Sequence, residues 1–183
     1  MAHPLAAQDQ PEIKIQLGDL AGTAWEQRIY FGNQAQPCAT LRTAWLHKDF
    51  ERRGFFRIGL FPLIAMETFQ LDIPNPGSAA YGFAQIQSLL KTAAGGSRIE
   101  LRNVRVSVGT ARVVCGRVRF AANGDWELLD GVSLHNEAKE THAAKGIFHA
   151  SGPGLGTILL KGQSRTLALF SPADAETQSE KTP

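Results

Sequence analysis

Six arginines fall within 22 residues, Arg98, Arg102, Arg105, Arg112, Arg117 and Arg119, with Glu100 the one acid among them. A guanidinium is a planar fork that grips phosphate or carboxylate through two parallel hydrogen bonds. A row of them can meet lipid phosphates, an acidic glycan or nucleic acid. It can equally be a solvated strand face, because the arginines here share their stretch with valines. Arg102, Arg105, Arg117 and Arg119 are the candidate anion-binding residues. Nucleic acid is not the expected partner, since no aromatic interleaves with the arginines as a stacking platform before Phe120.

Other reactive residues carry weaker signals. His135, His142 and His149 recur every seven residues, a spacing that aligns side chains on a helix but has no fixed meaning among strands and turns. Metal sites combine closer pairs with a carboxylate. Glu137 and Glu140 are near, yet no metal is expected. Cys38 and Cys115 fit one disulfide in an oxidising compartment, or two free buried thiols packing as small hydrophobes. Ser151-Gly152-Pro153-Gly154 is not the Gly-x-Ser-x-Gly elbow of a nucleophile, and Gly152-x-Gly154-x-Gly156 lacks dinucleotide-loop spacing. None of the 17 acids is singled out as half of a glycosidase pair. The chain therefore reads as a non-enzyme without a cofactor. Trp25, Trp45 and Trp126 offer either a sugar-stacking face or core packing.

The elements that must position these residues are mostly strands. Glu12–Leu17 alternates apolar and polar residues, as a half-buried strand does. Glu26–Phe31 and Thr40–Trp45 follow, the latter with Leu41 and Trp45 inward beside Thr43. Lys48–Arg57 reads as a charged turn, and Met66–Ile73 alternates again through Phe69, Leu71 and Ile73. Pro74-Asn75-Pro76-Gly77 breaks the chain and marks a candidate sub-boundary at 74–78. One short helix follows, with Ser78 as cap, helical spacing through Tyr81, Ala84, Leu89 and Ala93, and a stop at Gly95-Gly96. Strands resume at Arg98. The alternation slips near Arg102-Asn103, which predicts a bulge. Asn123-Gly124-Asp125 predicts a hairpin and Asp130-Gly131 a turn.

These spacings predict a mainly β fold: an antiparallel roll or sandwich, an open trough or jelly-roll-like, with one short helix. The 183 residues allow one β-rich domain over 12–170, preceded by a disordered stub at 1–11 and followed by a polar tail at 171–183. The net charge of +2 is too small to point to nucleic acid, and no apolar run approaches the roughly 18 residues of a membrane helix. Met1–Gln8 reads either as the stub of a replaced signal peptide or as an ordinary N-terminus.

Residues 98–170 repeat a pattern of strand, short polar turn, strand and a Gly-Val phrase. It runs through Ala111–Phe120 and Trp126–Leu134, and again through Thr141–Ala150 and Thr157–Gly162. This resembles the OstA-like proteins of lipopolysaccharide transport. The Ser88-Leu89-Leu90 helix followed by Arg98–Val104 is similar to AsmA-like envelope proteins. The resemblance implies an open β trough that holds acyl chains, a lipid or lipopolysaccharide ligand, envelope-protein partners, and a periplasmic or exported location peripheral to the membrane. Ile99, Leu101, Val118, Phe120, Leu128, Leu134 and Ile147 are the candidate inward residues of that trough. In a closed sandwich the same residues would simply fill the core. The alternative function is an adhesion or assembly module that binds protein or glycan at its surface.

Overall fold

A computed structural model describes residues 22–32, 34–53, 56–136, 139–162 and 166–170. The expected strand at Glu12–Leu17, the stub at 1–11 and the tail at 171–183 lie outside the described residues. Among the described residues twelve strands form one sheet. In chain order they are β1 (Trp25–Ile29), β2 (Ala39–Thr43), β3 (Trp45–Arg53), β4 (Phe56–Glu67), β5 (Gln70–Ile73), β6 (Arg98–Val108), β7 (Ala111–Phe120), β8 (Trp126–Asn136), β9 (Lys139–Ala143), β10 (Gly146–Phe148), β11 (Thr157–Leu160) and β12 (Thr166–Ala168). The single α-helix among the described residues, α1 (Ala79–Ala94), joins β5 to β6.

The spatial order is β1-β2-β5-β6-β7-β8-β10-β11-β12, with β4 beside the first half of β6, β3 beside β4, and β9 beside β8. The sheet is open and mixed rather than wholly antiparallel, because β4 and β5 both run parallel to β6. Parallel neighbours need a crossover, and α1 supplies it. Pro74–Gly77 is the entry to that crossover. The residues before and after it belong to one core cluster, so it separates no second core.

The helix forms where its spacing predicts but buries a different stripe, Ala79, Gly82, Phe83, Ile86, Leu90, Ala93 and Ala94; of the expected Tyr81, Ala84, Leu89 and Ala93, Ala84 is exposed and Tyr81 and Leu89 are half-buried. Gly82 belongs there because a Cβ would meet Ala39 Cβ and Ile73 Cδ1 at 3.3 Å, so the helix lies close on β2 and β5. The next residue, Phe83, packs its ring 4.8 Å from Phe148 of β10. In a flat sheet β2 and β10 would stand about 24 Å apart, five strand spacings. Adjacent helix residues reach both, so the sheet curls round α1. Ser78 sits at the N-cap but caps nothing with its side chain; its hydroxyl donates to Asn75 O at 2.9 Å. Gly95, in the left-handed region at φ 56°, ends the helix.

A crease runs across the sheet. The β2–β3 strand bends at Ala44, and Thr68 (φ 55°) separates β4 from β5. Asn103 (φ 48°) interrupts β6, β7 shifts register at Gly116, and β8 is broken by Asp130 (φ 61°) and Gly131 (φ 83°). The bulge expected near Arg102-Asn103 is therefore present. Phe69 brackets it, donating to Arg102 O at 3.2 Å and accepting from Arg105 N at 2.8 Å. Crossing the crease reverses which residues face inward on β2–β3, β4–β5, β6 and β7, while on β8 Trp126, Leu128, Val132 and Leu134 all stay inward. Leu41 and Thr43 are buried but Trp45, expected inward, is 57% exposed while Leu46 is buried. Lys48–Arg53, read as part of a turn, instead extends β3, and Asp130-Gly131 is a bulge inside β8 rather than the end of a strand.

Candidate functional site

Residues that alternate outward on the β3–β8 side of the crease bring charges together. Register sets Glu100 opposite Arg119 and Arg102 opposite Arg117 on β6 and β7, with Glu67 of β4 beside Arg102. Glu100 is the centre, its side chain only 4% exposed. Arg102 Nε donates to Glu100 Oε1 at 2.9 Å and Arg119 Nε to Oε2 at 2.9 Å, while Arg117 Nη1 stands 3.7 Å from Oε2. Arg102 also donates to Glu67 Oε1 and Asp49 Oδ2, each at 3.0 Å. Arg117 pairs with Asp130: its Nη2 donates to Oδ1 at 3.2 Å, and its Nε lies 2.9 Å from Oδ2 at an angle too poor for a hydrogen bond. Burial alone would lower the pKa of Arg102, but hydrogen bonds to Asp49, Glu100 and Glu67 more than reverse this and raise it.

The row of arginines is thus divided. Arg102, Arg117 and Arg119 are neutralised, whereas Arg105 lies across the crease, exposed, in no ion pair among the described residues. Glu100 was legible as the lone acid in the row; Asp49 and Glu67 arrive from distant strands, and no local spacing announces them.

Beside this network a cleft of about 1270 Å³ follows the end of the sheet where β6 begins. Leu63, Leu90, Ala94, Ile99 and Phe120 give it apolar wall. Among the described residues its five basic side chains (Lys91, Arg98, Arg102, Arg117, Arg119) match its five acidic ones (Asp49, Glu67, Glu100, Glu127, Asp130). Of the seven candidate trough residues, only Ile99 and Phe120 reach the cleft. Leu101, Val118, Leu128 and Leu134 are buried in the core, because α1 occupies the concave side of the sheet. Ile147 points to the opposite face: its neighbours Gly146 and Phe148 are the buried ones, and it pairs across with Glu127 and Leu159.

Trp126 is core packing, 1% exposed and enclosed by Phe83, Phe120 and Phe148 with ring centroids 5.3–5.7 Å away. Its indole N–H meets no oxygen or nitrogen among the described residues. Trp25 packs partly buried against the core and Trp45 is exposed, so the three tryptophans share no surface.

Two of the histidines converge. His135 Nε2 and His142 Nε2 lie 3.0 and 3.2 Å from Glu140 Oε1, and Ser133 Oγ lies 2.8 Å from His142 Nδ1. This hydroxyl, base and carboxylate lie on an open sheet face, where β8 is laddered to both β7 and β9 and its backbone N–H groups have no freedom to cradle an oxyanion. His149 is elsewhere, its Nδ1 3.1 Å from the buried Asp125.

Cys38 and Cys115 are both buried and free. Of the two alternatives the free thiols hold, for a plain reason: β5 and β6 lie between β2, which Cys38 precedes, and β7. Three strand spacings, about 14 Å, exceed the reach of about 7 Å between bridged Cα atoms. Burial pushes the Cys115 thiol up to about 12.

Among the described residues no helix is long and apolar enough to cross a membrane, and no group of His, Cys, Asp and Glu is arranged to hold a metal. No protein-family model, curated protein or solved structure matches the chain.

Proposed function

We propose that this chain is a non-catalytic binding domain that holds an acyl chain of a lipid-like amphiphile in the cleft at the C-terminal end of α1. The observation that carries this reading is the two-sided lining. Apolar side chains from α1, β4, β6 and β7 and the charged group centred on the buried Glu100 line the same cleft from the two faces of β6 and β7 at the end of the sheet. An amphiphile matches both, with methylenes against Ile99 and Phe120 and a polar head toward Lys91 and Arg119. Each buried methylene contributes about 0.8 kcal/mol. A dozen give about 10 kcal/mol before the association cost, which takes about half, leaving a dissociation constant of about 0.2 mM.

The site differs from the trough first expected, since the concave interior is filled by the protein's own helix. Transport of lipopolysaccharide, envelope partners and a periplasmic location stay with the reading as its biological setting. The free cysteines lend that location no support.

The test is native mass spectrometry of the purified protein followed by incubation with a fluorescent fatty acid. Saturable uptake that Ile99→Glu and Phe120→Glu abolish supports the reading. Absence of uptake by the delipidated protein removes it.

A second reading, a module that binds a protein at its surface, is favoured by β3. Trp45 and Phe50 on it are 57% and 41% exposed, and among the described strands it pairs only with β4. Part of its free edge is capped: Leu46 O accepts from Gly22 N, and Phe50 N donates to Asp49 Oδ1 at 2.8 Å.

A further inference from the structure

We propose that the outer face of the sheet carries a second site, separate from the cleft, for a phosphate monoester held by Arg105, Ser107 and Arg112. Register brings the three together. Arg105 and Ser107 are two residues apart on β6 and share a face, with Val104, Val106 and Val108 buried on the other. Arg112 of β7 lies directly opposite Ser107. Such opposed residues hold their Cβ atoms about 5 Å apart and diagonal neighbours about 7–8 Å, within the span of two arginine side chains converging on one anion.

Their charge is uncompensated. Arg105 and Arg112 are exposed and make no ion pair among the described residues, unlike Arg102, Arg117 and Arg119. The acids that register places beside this trio have other partners. Asp72, opposite Ser107 on β5, lies 3.7 Å from Arg42, and Glu140, beyond His135, is shared by two imidazoles. Two guanidinium forks and a hydroxyl suit a group with nearly two charges and three acceptor oxygens better than they suit a single carboxylate. None of the three residues lines the cleft.

The probe is inorganic phosphate, titrated while the arginine Nε–Hε resonances are followed by NMR. The expected result is saturable movement of the Arg105 and Arg112 signals with a dissociation constant near 1 mM, weakened about 10-fold by either R105Q or R112Q. No saturable movement up to about 50 mM phosphate, some fifty times that constant, overturns the site; so does movement of the backbone around Ser107 that survives in the double variant. The wild-type titration stands whether or not the variants fold. Vesicles of phosphatidylcholine with and without phosphatidic acid separate the sources. Sedimentation with the acidic vesicles that the double variant loses assigns a lipid headgroup, and phosphate binding without sedimentation assigns a soluble phosphomonoester.

Discussion

A Cβ on Gly116 would stand 2.8 Å from both the Cβ and the carbonyl oxygen of Asp130. The crease therefore brings β7 and β8 closer than any side chain at 116 allows. Gly116→Ala must push the strands apart or shift the bulge, and we expect a loss of about 1–3 kcal/mol in urea unfolding. A loss below about 0.5 kcal/mol, the range of ordinary surface changes, would show that the bulge relaxes freely.

Glu100 holds three guanidiniums from a position almost out of water. Glu100→Gln keeps the shape and removes the charge, leaving Arg119 without its carboxylate. Breaking a buried pair from one side costs about 3–5 kcal/mol, which the part exposure of these arginines reduces to about 2–3. The difference should survive high salt in denaturant melts. A difference that vanishes in 1 M salt would make the network an ordinary surface one.

Cys115 supplies a pH dependence with a definite sign. Its thiol is raised from 9.0 to about 12 in the fold. Between those values the folded protein keeps a proton that the unfolded chain has released. Stability is therefore undiminished below pH 9 and falls as pH rises toward 12, by up to about 1.4 kcal/mol per unit. Cys38 shifts in the same direction. Denaturation midpoints across this range, compared with Cys115→Ala, measure the effect: the variant should show a flatter fall. Iodoacetamide at neutral pH should label neither thiol in the native state and both after unfolding.

Leu134 and Phe120 separate core from cleft. Leu134 is 2% exposed, and Leu134→Glu should unfold the domain. Phe120 is half-buried and lines the cleft, so Phe120→Glu should leave a folded protein, by circular dichroism, that no longer takes up acyl chains. Equal unfolding by both would mean that Phe120 belongs wholly to the core.

Local patterns carried much of the fold. The helix was legible in its extent and its Gly95-Gly96 stop, though not in the stripe it buries, and the Asn103 bulge in the slipped alternation of Arg98–Val108. The hairpin at Asn123–Asp125 closes as its residues predict, with Ala121 N donating to Asp125 O at 2.9 Å. What failed was whatever depends on partners distant in the chain. Trp45 follows the alternation of Leu41 and Thr43 on paper, but the bend at Ala44, paired with the break at Thr68, reverses it. Asp49 and Glu67 neutralise Arg102 from strands whose neighbours only tertiary structure reveals. A strand pattern also cannot tell a hollow interior from a filled one. Leu101, Val118, Leu128 and Leu134 look alike in either case, and the occupant, α1, is encoded elsewhere.

The placement of α1 also governs the order of assembly. Strands β1 to β5 leave the ribosome before the helix does, so Ala39 and Ile73, on which Gly82 closes, must wait for α1 to cover them. The central strand β6 comes later still and has to lie parallel to both β4 and β5. A nascent chain halted near Gly77 would present an uncovered apolar sheet, a species prone to self-association and a natural client for a chaperone.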